Sequence, residues 1–139
     1  MRTLTLGEVA RACGGQLHHA DEHQTVTGVS TDSRKTQVGE LFLALKGDRF
    51  DAHQFMSSDM VSQITGAIVT QSMLPQGLPT FPMIDVPDVR KAMGRLAHWY
   101  RMQFDLPVIG ITGSNGKTST KALLQSALAR GQSVLTSPA

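Results

Sequence analysis

The stretch Leu106-Pro-Val-Ile-Gly-Ile-Thr-Gly-Ser-Asn-Gly-Lys-Thr-Ser-Thr120 constrains the fold more than any other part of the chain. A short apolar run, Val108 to Ile111, enters a turn that carries Gly113 and Gly116. Lys117 and Thr118 follow, and Thr120 to Arg130 reads as a helix. Strand, glycine turn, Lys-Thr and helix is the order of a phosphate-binding loop. Its glycines let backbone N–H groups turn inward on a polyphosphate, and the helix N-terminus adds partial positive charge. Lys117 is placed to reach the terminal phosphates, and the Thr118 hydroxyl to hold Mg²⁺. The wording is the short form G-x-x-G-K-T, Gly113 to Thr118. The full pattern asks for a further glycine where Ile111 stands. The alternative is an ordinary strand-to-helix turn with a solvated lysine. The apolar run before the loop and the helix after it favour the phosphate loop, as does Asn115 beside Gly116, where positive φ is easiest.

With 139 residues, the chain is near the usual size of one domain. An apolar content of 40% and a charged content of 17% suit a globular protein, and few aromatics imply an aliphatic core. The formal net charge of +2 and the lack of a Lys/Arg cluster argue against nucleic acid. No apolar run reaches membrane-spanning length, and the N-terminus lacks the apolar core of a signal peptide. A single cysteine, Cys13, excludes an internal disulfide, so a cytoplasmic protein is expected.

Thr5-Leu-Gly-Glu8 is a capping-box pattern opening a short helix that Gly14-Gly15 ends, with Leu6, Val9, Ala10 and Cys13 on one face. Cys13 is read as a small core residue. His18, His19, Asp21, Glu22 and His23 have no structural zinc spacing and read as a polar turn. Gln16 to His19 starts a strand or loop. Val26 to Thr31 alternates as a half-buried strand, and Leu41 to Leu45 is an apolar strand buried on both faces. Gln54 to Gln63 is a weak helix, Gly66 to Thr70 a strand, and Phe81 to Val86 a strand that Pro82 assigns to an edge. Asp88 caps a helix running to about Phe104, with Val89, Ala92, Met93, Leu96, Ala97, Tyr100 and Phe104 on its buried face and Arg95, His98 and Arg101 solvated. Ser133 to Thr136 is a last strand candidate. Alternating strands and helices give an α/β fold class, with a boundary near Val86-Pro87.

Thr112-Gly-Ser-Asn-Gly-Lys-Thr118 resembles the ATP loop of the Mur ligases, the ATP-dependent amide ligases of peptidoglycan precursor synthesis. Ser114 stands where the family's usual wording has a second threonine. Thr31-Asp-Ser-Arg34, Gly39 to Gly47 and Arg49-Phe-Asp-Ala-His-Gln-Phe55 resemble the UDP-sugar-binding domain of the same family. The Ala-Leu-Lys-Gly-x-Arg-Phe-Asp-Ala-His wording is most similar to the branch that joins D-Ala-D-Ala to UDP-MurNAc-tripeptide. The resemblance implies a small mixed α/β N-terminal UDP-MurNAc-peptide-binding domain over residues 1–85. The first helix, strand and phosphate loop of an incomplete P-loop ATPase domain would follow over 86–139. It implies that ATP phosphorylates the terminal carboxylate and that an amine then attacks the acyl phosphate, giving amide, ADP and phosphate. Gly113, Ser114, Asn115, Gly116, Lys117, Thr118 and Ser119 would hold ATP. Lys117 would be catalytic and Thr118 a Mg²⁺ ligand. Ser33 and Arg34 would hold the uridine diphosphate, with Lys46, Gly47 and Asp48 beside the uracil. On residue chemistry alone, Asp32 and Ser33 closing a turn with Arg34 solvated is the stronger reading, and the resemblance reverses it. His53 reads as a local cap or packing residue.

The residues after Lys117 hold one helix and one strand candidate, whereas a phosphate-loop ATPase sheet needs several more βα units of roughly 30 residues each. The expectation is therefore the front part of a ligase, a monomer by itself inactive, with the second metal ligand and adenine contacts elsewhere. Two alternatives stand beside it: a ligase of the branch adding the third peptide residue, and a stand-alone UDP-sugar or nucleotide-binding module without turnover.

Overall fold

The computed structural model describes residues 3–137. It divides into two compact units, Met1–Phe104 and Asp105–Ala139.

The first unit opens with β1 (Leu4–Thr5) and α1 (Leu6–Cys13). The capping box is present in full. Glu8 N–H donates to Thr5 Oγ1 at 3.2 Å, and Thr5 N–H to Glu8 Oε2 at 3.0 Å. Gly14 ends the helix at φ 68°, a left-handed conformation in which Gly15 N–H reaches Ala10 O at 3.0 Å. Leu6, Val9, Ala10 and Cys13 are buried on one face, as their spacing requires.

Next come β2 (Gln16–His18), β3 (Thr25–Val26), β4 (Gly28–Ser30), β5 (Glu40–Leu43), a 3-10 turn at Ala52–Phe55, α2 (Ser58–Gln63), β6 (Gly66–Val69), β7 (Met83–Asp85) and α3 (Val89–Arg101). Five strands form one sheet in the order β2-β7-β6-β5-β4. The last four are mutually parallel and β2 is antiparallel at one edge. Alternation along each strand assigns its side chains to two layers. Leu41, Leu43, Ile68 and Ile84 pack with α1 and α3 through Val9, Val89, Ala92 and Leu96. Phe42, Ala44, Ala67, Val69 and Met83 pack on the other face with Met56, Val61, Ile64 and Phe81. This two-sided burial is why β5 reads as an unbroken apolar run.

Several features of this unit differ from the sequence expectation. Residues 26–31 form two short strands, because β3 pairs with β1 and β4 with β5. The strand at Phe81–Val86 lies inside the sheet, between β6 and β2. Pro82 sits just before β7 and contributes only its carbonyl, which accepts from Ala67 N–H at 3.1 Å, so no ladder donor is lost. Val89, Ala92 and Leu96 of α3 pack in the same layer as Leu6, Val9 and Ala10 of α1. Arg95 is exposed, as expected, and also donates to Cys13 O at 3.2 Å, which ties α3 to the end of α1. The buried face of α3 is narrower than expected, with Ala97 exposed and Phe104 37% exposed beyond the helix end.

In the second unit the one helix among the described residues is α4 (Lys117–Leu128). It starts three residues earlier than expected, directly after the glycine turn. None of its residues is buried. Neither Val108–Ile111 nor Ser133–Thr136 forms a strand, and Val108 and Ile109 are exposed. A buried parallel strand takes its ladder bonds from neighbours on both sides, and within this unit no described strand supplies them.

Candidate functional site

Ligands of parallel α/β sheets bind outside the carboxyl ends of the strands. In the first unit the connections leaving β4, β5, β6 and β7 all start from that edge. Two of them carry the residues singled out in the sequence.

After β4, Asp32 organises the turn. Its Oδ1 accepts from Arg34 N–H at 3.1 Å and from Nε at 2.9 Å, and its Oδ2 accepts from an Arg34 Nη at 2.9 Å. These bonds to the Arg34 guanidinium hold the Asp32 carboxyl at about 2, below its ordinary value. Thr36 Oγ1 closes the turn on Asp32 O at 2.9 Å and on Ser30 Oγ at 3.0 Å. Ser33 is half-buried beside this pair, while Arg34 is exposed. Arg34 thus has its orientation fixed by Asp32 and still presents its remaining N–H groups to solvent, a suitable state for meeting a phosphate.

After β5, Lys46 and Asp51 face each other in an antiparallel bridge. Gly47 N–H donates to Phe50 O at 2.7 Å, which turns the chain tightly and leaves Lys46, Gly47, Asp48 and Arg49 exposed. Asp51 then caps the following 3-10 turn by accepting from His53 N–H at 3.0 Å. His53 is buried, in keeping with a local packing role.

Sequence reasoning missed three participants. Arg90, in the first turn of α3, donates to Lys46 O at 3.5 Å. Thr70, at the end of β6, donates through Oγ1 to Val86 O at 2.9 Å. Asp85 of β7 accepts from Gln71 N–H at 2.8 Å. Thr70 and Asp85, with Gly14 and Gln16, line an open cleft of about 610 Å³ at the carboxyl edge. Nothing in the local sequence signals this cleft. It arises where antiparallel β2 starts beside the end of β7.

In the second unit Gly113 has φ 146° and Gly116 φ 74°. Gly116 takes the left-handed conformation that lets the chain reverse directly into α4. The helix has no side-chain cap, so the first-turn N–H groups of Lys117, Thr118 and Ser119 point out of its N-terminus toward any bound anion. The Lys117 ammonium donates to Gly113 O and folds back over the loop. Ser114, Asn115, Lys117, Thr118 and Ser119 are exposed. Thr118 offers one hydroxyl at the helix start, enough for a magnesium ion that takes most of its ligands from water and phosphate oxygens. Among the described residues no cluster of three or more His, Cys, Asp or Glu side chains could hold a metal.

No family profile matches the chain. Among curated proteins, the UDP-N-acetylmuramoyl-tripeptide–D-alanyl-D-alanine ligase of Escherichia coli K12 is 39% identical over 130 residues. That match takes in 94% of this chain and 27% of the relative. The UDP-N-acetylmuramoyl-L-alanyl-D-glutamate–2,6-diaminopimelate ligase of Aquifex aeolicus is 37% identical over 105 residues, 74% of this chain and 21% of that protein. Among solved structures, MurF from Acinetobacter baumannii superposes with a TM-score of 0.81 at 37% identity, over 94% of this chain and 28% of that one. MurF from Thermotoga maritima in complex with ADP gives 0.67 at 28% identity, over 79% and 25%. The chain therefore spans about a quarter of the length of the relatives it matches. In sequence and in fold the chain is similar to the N-terminal portion of MurF, a Mur ligase.

Proposed function

We propose that the chain is the substrate-binding and phosphate-loop portion of an ATP-dependent ligase that adds D-Ala-D-Ala to UDP-MurNAc-tripeptide. The observation that carries this reading is the match to MurF over 94% of the chain. Ser33 and Arg34 bind the diphosphate of the uridine nucleotide. The exposed Lys46–Asp48 turn lies against the base, where the Asp48 carboxylate accepts a hydrogen bond. In the second unit, Gly113 to Ser119 cradle the phosphates of ATP with backbone N–H groups. Lys117 moves from Gly113 O to the terminal phosphates, and Thr118 supplies one ligand to Mg²⁺. Bound there, the ion would neutralise phosphate charge as the phosphoryl group moves to the substrate carboxylate. D-Ala-D-Ala addition is favoured over diaminopimelate addition because the MurF match takes in more of the chain.

The 139-residue chain binds but does not turn over. Its first unit holds a packed core and the residues proposed for the uridine nucleotide, whereas its phosphate loop is open to water, where each contact is weak. A cytoplasmic monomer belongs to the same reading, with Cys13 a buried free thiol that fits a reducing compartment. Among the described residues no helix is long and apolar enough to cross a membrane. Titration calorimetry with UDP-MurNAc-tripeptide and with Mg-ATP tests the reading. Tighter binding of the UDP-peptide is expected. Tighter binding of Mg-ATP, or amide formation by the chain alone, would refute it.

A further inference from the structure

We infer that His53 is a positioning residue, a neutral imidazole that fastens the substrate turn after β5 to the end of β6. The inference rests on the proposed role of Lys46, Gly47 and Asp48 in holding a uridine nucleotide. Its evidence is a chain of hydrogen bonds whose direction is forced. Thr70 N–H donates to His53 Nε2 at 2.9 Å. A backbone N–H can only donate, so Nε2 must present its lone pair, and the ring proton sits on Nδ1. Nδ1–H in turn donates to Asp51 Oδ1 at 2.5 Å. The same oxygen accepts from His53 N–H at 3.0 Å, so one carboxylate atom pins both the backbone and the ring of the residue.

Burial opposes the charge on Asp51, and the hydrogen bonds from His53 more than offset it, leaving the carboxyl below its usual range. His53 is 1% exposed, too deep to touch a ligand itself. It acts instead through Asp51, which closes the turn opposite Lys46. A second fastening comes from Arg90, which donates to Lys46 O at 3.5 Å. Held from β6 and from α3, the turn presents its exposed tip in one shape, so a ligand need not bear the entropy of ordering it. Thr70 also lines the cleft at the carboxyl edge, so the clamp fixes the turn relative to that cleft.

The test titrates uridine diphosphate into the full 139-residue chain and its variants, with nitrogen-15 spectra of the His53 ring alongside. His53→Leu keeps the bulk but leaves Thr70 N–H without an acceptor, and should weaken uridine diphosphate binding about tenfold. His53→Gln offers a side-chain oxygen to Thr70 and should recover most of that loss, to within about threefold of the parent. If His53→Leu does not fold, His53→Gln and the ring spectrum decide alone. The spectrum should show a protonated Nδ1 and a bare Nε2. Undiminished affinity in His53→Leu, a glutamine variant more than about tenfold weaker than the parent, or a ring proton on Nε2 would each overturn the assignment. Failure of the parent chain to bind uridine diphosphate is a different result. It would remove the functional reading on which the clamp's purpose depends.

Discussion

Asp32 grips the guanidinium of Arg34 at two points, each at 2.9 Å, within a single turn. The pair is exposed to water, so its effect on overall stability is small. Its effect on local order is larger, because it selects one orientation for the arginine proposed to meet the diphosphate.

The Asp32 carboxyl should therefore titrate near 2 rather than at its ordinary 3.8. The sign follows from that depression. The ion pair is fully formed above the ordinary value and is lost as pH falls through the folded value. Carbon-13 shifts of the Asp32 carboxyl across the acid range will report the midpoint. A midpoint at the ordinary value would show that the two-point grip does not persist in solution. Asp32→Asn should loosen Arg34 and weaken uridine diphosphate binding with little change in melting temperature.

Much of this turn was legible in the sequence, since Asp-Ser-Arg after a strand announces a turn. Its internal bonding was not, because Asp32 bonding Arg34 and a solvated Arg34 give the same pattern of letters. The capping box at Thr5 and Glu8, the apolar run at Leu41 and the turn at Gly116 were legible because each depends on neighbours a few residues away. Thr70, Asp85 and Arg90 were not. They meet the candidate site only through sheet order, which sequence spacing does not encode. Pro82 misled for a related reason: a proline excludes a ladder donor at its own position, but β7 begins one residue later. Val108 to Ile111 shows the converse, a strand pattern that stays unpaired when the described residues of its unit offer no strand beside it.

On the proposed function, Lys117→Ala should abolish turnover in a ligase that carries this segment and leave stability within about 0.5 kcal/mol, as for other exposed positions. Lys117 is exposed and donates to Gly113 O of its own loop, so its loss opens no core cavity. Steady-state assays with thermal melts check both halves. Near-normal turnover would remove the phosphate-loop assignment. Thr118→Ala should also slow turnover, with partial recovery at raised Mg²⁺, and no response to magnesium would sink the metal role.

Hydrogen exchange should divide the chain. Amides of β5 and β6 lie in strands flanked on both sides and buried on both faces, and should exchange slowest. Amides of 105–137 should exchange much faster, because α4 buries no side chain and Val108, Leu123 and Leu135 are 71%, 72% and 99% exposed. Equal protection in the two regions would show that the second unit is independently stable.

Phe42→Ala should cost about 3–5 kcal/mol, the usual loss for a fully buried aromatic. Phe42 is 0% exposed and sits in the layer with Val61 and Met83. Chemical denaturation of the first unit's transition will measure it. A loss below about 1 kcal/mol would mean that this layer repacks freely around the gap.

Strand β5 serves two masters, with Leu41 and Leu43 turned to one layer and Phe42 and Ala44 to the other. A strand with one wet face that slips by a residue exposes its apolar set and gives itself away as misfolded. Here a slip would also send the phenyl ring of Phe42 into the space shaped for leucine, and leucine into the space shaped for the ring. Shape, and not only the avoidance of water, must then proofread the register. The parallel partners on either side, β4 and β6, hold the register in place, with Leu41 opposite Val29 on one side and Gly66 on the other. An insertion in the loop before Glu40 is therefore absorbed outside the sheet, while one between Leu41 and Leu43 leaves the chain no ordered alternative.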